Sequence, residues 1–236
     1  MWDDQFAAFA QDYQVVRYDI RGFGRSALPQ IPYTDREDLA HLLTFLGLEK
    51  SYLLGFSLGG GIALDFTLEY PERADALILV GSPVNGALVR EVLTEEEEQA
   101  LRIQQQLYHE AKSRRNIPDM VEALMNDPTL LPSPEYASAR KQVHEYLSEY
   151  SFVWVLDPAP QQPLDPPAWG RLHEIAVPTL LVVGEKDDIA LHRFADKLER
   201  EISGVKRITM AGTHHLTNME KPEEFNALVL DFLKTM

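Results

Sequence analysis

The residues that could do chemistry here are one serine, one aspartate pair and one histidine pair, in that chain order. The serine is Ser57, in the stretch Ser51-Tyr52-Leu53-Leu54-Gly55-Phe56-Ser57-Leu58-Gly59-Gly60-Gly61-Ile62-Ala63-Leu64. This reads as a short apolar strand, a sharp Gly-x-Ser-x-Gly turn and a helix. Gly55 and Gly59 flank the serine at the spacing of a nucleophile elbow, where bulk at either glycine is expected to clash. Such a turn lifts the hydroxyl to the start of a helix, whose dipole favours developing negative charge. The backbone N–H of Leu58 would then donate to an oxyanion. Serine is a poor nucleophile without an adjacent base. His215 or His214 can supply that base, and Asp187 or Asp188 can hold and charge-balance the imidazole.

These residues must be positioned by elements the pattern also predicts. Ala76-Leu77-Ile78-Leu79-Val80 and Val177-Pro178-Thr179-Leu180-Leu181-Val182-Val183-Gly184 are nearly unbroken apolar runs, as in parallel strands covered on both faces. Strands are also expected at Tyr13–Asp19, Tyr52–Leu54 and Lys206–Met210. Helices are expected at Trp2–Ala10, after Thr34, after Ser57, at Ala190–Ile202 and from Pro222. Thr34 is the expected N-cap, with Glu37 completing a capping box and Gly47 ending the helix. The alternation marks an α/β fold, a three-layer αβα sandwich with a mostly parallel sheet. Parallel strands bring their C-terminal ends to one edge, so Ser57, the aspartates and the histidines can meet there.

Between these regions the pattern changes. Residues 86–168 contain no strong strand. Helices are predicted from Thr94 to about Lys112, from Ile117 to Asn126 and from Pro134 to about Trp154, before a proline-rich return through Pro158, Pro160, Pro163, Pro166 and Pro167. Residues 1–85 and 169–236 are read as the core, and 86–168 as an inserted helical lid over Ser57. Phe56, beside the nucleophile, and Phe152 and Trp154 in the lid are candidate substrate contacts. Arg21-Gly22-Phe23-Gly24-Arg25-Ser26 is a glycine-punctuated turn.

Composition narrows the classes. The chain has 236 residues, enough for one large domain or a core plus a subdomain. Its net charge of −15 argues against nucleic acid or an anionic membrane as partner. With 0 cysteines there is no disulfide framework or thiolate chemistry. No metal and no cofactor is expected. Without a long apolar run or a signal-type N-terminus, a cytoplasmic location is expected.

In combination, Asp19-Ile20-Arg21-Gly22-Phe23-Gly24-Arg25-Ser26, the elbow, Gly184-Glu185-Lys186-Asp187 and His215-Leu216-Thr217-Asn218-Met219-Glu220-Lys221-Pro222 resemble the α/β-hydrolase superfamily, in its branch with a helical cap. The family pattern selects Asp187 over Asp188 and His215 over His214. It implies a serine hydrolase cleaving a carboxylic ester, lactone or thioester of a small molecule through an acyl-enzyme. Members with haloalkane dehalogenase or epoxide hydrolase chemistry carry aspartate where Ser57 stands. Two alternatives remain: a non-catalytic or weakly active ligand-binding relic, and a cofactor-free C–C hydrolase or haloperoxidase-like enzyme. The resemblance also implies further N-terminal strands and a His-Gly loop with a second oxyanion N–H. Roughly 30–40 residues of that pattern have no counterpart here. The expected consequence is a slot beside the Tyr52–Leu54 strand that is closed in one of two ways: Val15–Tyr18 pairs directly with Tyr52–Leu54, or, the favoured expectation, a second copy or an N-terminal fragment fills it. With one oxyanion donor absent, hydrolysis by this chain alone is expected to be slower by roughly 10²–10³ in kcat.

Overall fold

Four strands form one parallel sheet in the order β1 (Ser51–Phe56), β2 (Ala74–Val80), β3 (Thr179–Gly184) and β4 (Lys206–Met210). The computed structural model describes residues 1–158 and 161–236. Helices α1 (Asp3–Phe9) and α2 (Asp35–Phe45) precede β1, and α3 (Leu58–Glu69) follows it. Between β2 and β3 come α4 (Val89–Val92), α5 (Glu95–Gln104), α6 (Gln106–Ser113), α7 (Ile117–Met125), α8 (Ala137–Glu149) and α9 (Val153–Leu156). Then α10 (Ile189–Glu201) links β3 to β4, and α11 (Thr217–Glu220) and α12 (Pro222–Leu233) close the described chain.

The period-2 alternation of strand side chains builds two cores. On one face Leu53, Leu77, Leu79 and Leu181 pack against Leu39 and Leu43 of α2, Phe66 of α3 and Leu198 of α10. On the other, Ala76, Ile78, Val80, Leu180 and Val182 pack against Phe9 of α1 and Phe225, Val229 and Phe232 of α12. This is the expected three-layer arrangement. It also explains why β2 and β3 read as continuous apolar runs, since both faces are dry.

Met120, Val121, Met125, Leu131, Ala139, Val143 and Phe152 of the helical segment form a third cluster. Phe56, Leu216 and Met219 join it, so this segment sits at the sheet edge where β1 ends and the histidine loop begins. The predicted helix from Thr94 to Lys112 is two helices, with a bend at Gln105 (φ −89°, ψ 5°). The predicted helix from Pro134 to Trp154 is also interrupted. Phe152 takes a left-handed φ of 54°, which a continuous helix excludes. Its ring is buried in the third cluster, and Tyr150 beside it stacks on Phe23 at 4.8 Å. Aromatic packing here overrides helix propensity. Thr34 does cap α2 by accepting from the Glu37 N–H, but the return bond from the Glu37 side chain is not formed.

The expected strand at Tyr13–Asp19 is not a strand. Tyr13 meets Tyr52 edge-to-face at 6.2 Å, and Arg17 lies over Phe6 and pairs with Asp3. Val16 and Tyr18 remain exposed. Among the described residues no backbone hydrogen bond joins Val15, Val16 or Arg17 to residues 52–54. A β-favouring sequence without a ladder partner does not make a strand. Ser57 N–H donates to Val80 O, so by the alternation of a parallel ladder Leu53 and Gly55 also face β2. Tyr52, Leu54 and Phe56 therefore present their N–H groups to the open edge. Hydrogen exchange should be at least tenfold faster at these three amides than at Leu53 and Gly55. Equal protection would mean that another polypeptide covers this edge in solution.

The chain returning from the helical segment is fastened to α2. Gln162 N–H donates to Tyr33 O, Arg36 donates to Gln162 O, and Gln161 donates to the Asp35 carboxylate. Burial, with the Asp38 charge adding, pushes the Asp35 carboxyl up to about 6. The folded value exceeds the unfolded one near 3.9, so ionising Asp35 costs stability as pH rises from about 4 to about 6. Asp35→Asn should therefore raise stability at neutral pH by on the order of 2 kcal/mol and change it little below about pH 4. Thermal unfolding at both pH values measures this.

Candidate active site

The turn after β1 places Ser57 at φ 49° and ψ −117°, a conformation that costs a non-glycine residue about 1–3 kcal/mol. It is held because Ser57 N–H donates to Val80 O and Ser57 O accepts from Gly60 and Gly61. A Cβ at Gly55 would lie 2.2 Å from Gly59 O, and one at Gly60 would lie 1.7 Å from Ser82 Oγ. Nothing lies within 4 Å of a Cβ at Gly59, which corrects the expectation of a clash there. The steric demand falls on Gly55 and Gly60, where the start of α3 crosses the ends of β1 and β2. Leu58 is the first residue of α3, so its N–H has no acceptor within the helix.

Asp187 and His215 meet at the same edge. His215 Nδ1 is 3.1 Å from Asp187 Oδ1 and 3.2 Å from Oδ2. Both side chains are buried, and the Asp187 carboxylate also accepts the Asp188 N–H at 2.8 Å. With Nδ1 engaged, Nε2 is the nitrogen free to take a proton. Among the described residues Ser57 makes no side-chain hydrogen bond to His215; such bonds commonly tighten only with substrate bound.

The neighbouring residues have other partners. Asp188 caps α10, its Oδ1 accepting from Ala190 N–H at 2.7 Å. Burial first, and then the Asp187 charge, raise its carboxyl above the ordinary range. His214 faces Glu220, whose Oε2 accepts the His214 backbone N–H at 2.8 Å and lies 3.3 Å from Nδ1. Burial raises the Glu220 carboxyl, against the hydrogen bonds from His214 that lower it.

Of the proposed substrate contacts, Phe56 packs its ring 4.5 Å from that of His215. Phe152 is 2% exposed, within the core of the helical segment. Trp154 is half-buried, 6.4 Å from Phe23 of the glycine-punctuated turn. A cleft of about 800 Å³ lies between α4–α6 and α10, lined by Val89, Leu93, Leu101, His109 and Phe194 among others. Ser57, Asp187 and His215 do not line it.

Sequence reasoning missed two supports. Gly81, at φ 50°, lies under the imidazole, and a Cβ there would sit 2.8 Å from His215 Cε1. Its signal was its place at the end of β2, like Gly184 at the end of β3. The second is Thr129, whose carbonyl accepts the His215 N–H at 3.3 Å; no motif announces it. Among the described residues no group of three or more His, Asp or Glu is placed to hold a metal ion, and no helix is long and apolar enough to cross a membrane.

A profile described as the alpha/beta hydrolase family matches residues 1–228. The chain belongs to this family. It is 30% identical over 233 residues to 2-hydroxy-6-oxononadienedioate/2-hydroxy-6-oxononatrienedioate hydrolase 2 of Pseudomonas putida, covering 95% of this chain and 78% of the relative. It is 25% identical to 3-oxoadipate enol-lactonase 2 of Acinetobacter baylyi, over 99% of this chain and 84% of the relative. Among solved structures, an esterase from Exiguobacterium antarcticum superposes with a TM-score of 0.78 at 22% identity, covering 99% of this chain and 86% of that one. The last likeness is one of fold. These relatives are hydrolases.

Paired substitutions separate the roles of the neighbouring residues in this alpha/beta hydrolase. Asp187→Asn should lower kcat/KM for a nitrophenyl ester by roughly 10⁴-fold, and Asp188→Asn far less. His215→Ala should be as damaging as loss of the serine. His214→Ala should spare most of the rate but lower stability by about 1 kcal/mol, because the buried Glu220 carboxyl loses the imidazole and keeps only the backbone N–H of residue 214. A larger rate loss at His214 than at His215 would reverse the assignment.

Proposed function

We propose that this chain is a serine hydrolase that cleaves a carboxylic ester or lactone through an acyl-enzyme on Ser57. The observation that carries this is the pairing of Asp187 with His215 Nδ1 at the sheet edge where the strained Ser57 turn ends β1. In this reaction His215 Nε2 takes the Ser57 Oγ proton as Oγ attacks the acyl carbon. The new oxyanion faces the Leu58 N–H and the α3 dipole. Asp187 stabilises the imidazolium that forms. That imidazolium then protonates the leaving alcohol, and a water activated by the same histidine releases the acid. Burial of the aspartate–histidine pair strengthens its interaction relative to water.

The dienedioate hydrolase relative favours a second reading, in which the bond cleaved joins two carbons of a 2-hydroxy-6-oxo dienoate. The same residues would serve, since an acyl group is again passed to water. The relic reading differs from both in predicting an unreactive serine.

Three measurements separate these. A fluorophosphonate probe should label Ser57, and Ser57→Ala should remove both labelling and ester turnover while leaving the fold intact. More than a few per cent residual turnover in clean Ser57→Ala protein would overturn the nucleophile. A nitrophenyl ester series of increasing acyl length should show measurable turnover. Bleaching of a 2-hydroxy-6-oxo dienoate chromophore, with negligible ester turnover, would select the second reading.

A further inference from the structure

The bond from His215 N–H to Thr129 O, between the helical segment and the catalytic loop, belongs to a larger clamp. Asp127 Oδ1 accepts from Thr129 N–H at 2.9 Å, Thr129 Oγ1 at 2.8 Å, Leu130 N–H at 3.2 Å and Gln104 Nε2 at 2.9 Å. Gln104 also donates to Thr129 Oγ1 at 3.0 Å. One carboxylate oxygen thus fixes the direction of the Thr129 carbonyl. Gln104 lies in the last turn of α5, while Glu97 near the start of α5 pairs with Arg193 of α10 at 2.8 Å. Helix α10 begins beside Asp187. The Glu97–Arg193 tie is separate from this clamp and makes no hydrogen bond to Asp127, Thr129 or His215.

We propose that Asp127 is a positioning residue: it holds the Thr129 carbonyl on the His215 N–H and so sets the imidazole against Asp187 and Ser57. The inference rests on the serine-hydrolase reading for its catalytic consequence, though not for the geometry itself. The main-chain bond restrains the Cα of His215, and the Asp187 bond restrains Nδ1. Together they leave the ring little freedom. Losing the first allows the ring to drift while its partner aspartate is unchanged, and small displacements of a reacting group cost rate steeply.

The test uses the full chain with Asp127→Ala, Asp127→Asn, Gln104→Leu and Glu97→Gln. Fluorophosphonate labelling of Ser57 gives the rate, and nitrogen-15 NMR of the His215 imidazole gives the ring's state without turnover. Asp127→Ala should slow labelling on the order of tenfold and shift or broaden the His215 ring signals. Asp127→Asn keeps an oxygen acceptor and should restore both. Gln104→Leu removes two of the clamp's bonds from an exposed position and should slow labelling by about two- to threefold. Glu97→Gln breaks a different tie between the helical segment and the core and should leave rate and ring signals as in the unmodified chain.

Unchanged labelling and ring signals in Asp127→Ala overturn the proposal, as does failure of Asp127→Asn to restore them. An equal effect of Glu97→Gln would show general loosening of the helical segment, which also overturns it. If Asp127→Ala does not fold, an unchanged ring signal in Gln104→Leu overturns it instead. If the unmodified chain is never labelled, the serine-hydrolase reading falls, and the NMR comparison alone decides the positioning.

Discussion

The parallel hydrogen-bond ladder of β1, β2 and β3 is the constraint on which the other features depend. Every strand in it must deliver the chain to the same edge, and each following segment must turn away from that edge to reach a covering helix. Ser57, Gly81 and Asp187 all lie within a few residues of a strand end for this reason. The ladder also restrains Ser57 directly, since the bond from Ser57 N–H to Val80 O continues the β1–β2 pairing one residue past the strand. A backbone at φ 49° persists at Ser57 because the ladder on one side and α3 on the other leave it no alternative.

Packing on that frame is divided by chemistry. The two faces of the sheet are dry and apolar, and contribute through burial. The edge is polar, and three pairings order it: Asp187 with His215, His214 with one Glu220 oxygen, and Asp188 with the first turn of α10, while Glu220 Oε1 and Thr217 Oγ1 have no partner among the described residues. A buried carboxylate without a partner would be costly, so the pairs are mutually exclusive. Glu220 occupies His214 and the α10 cap occupies Asp188, which leaves one histidine and one aspartate for each other. Local stability requirements thus sort two adjacent acids and two adjacent histidines into distinct roles.

Most of the core was legible because its signals are local. Apolar runs mark β2 and β3, the cap at Thr34 and the glycine at Gly47 bound α2, and Pro222 opens α12. The Gly-x-Ser-x-Gly spacing marked the elbow, although the wrong second glycine was assigned the steric burden. The helical segment was less legible. The bend at Gln105 and the break at Phe152 lie beside contacts with residues far away in sequence, Asp127 and Thr129 for Gln104 and Phe23 for Tyr150, which no local pattern records.

The sequence by itself determined the α/β alternation, the chain order serine, aspartate, histidine, and the placement of all three after strands, because period, capping and turn chemistry are written in neighbouring residues. Residue types and spacing left Asp187 and Asp188, and His214 and His215, as alternatives that the family resemblance narrowed to Asp187 and His215; the tertiary structure decided that these two face each other, since Asp187 and Asp188 differ in direction from the backbone and not in type. It also decided the fate of Tyr13–Asp19. Those residues have the composition of a strand, but a strand exists only where another main chain accepts its hydrogen bonds, and no local pattern records whether that partner is present.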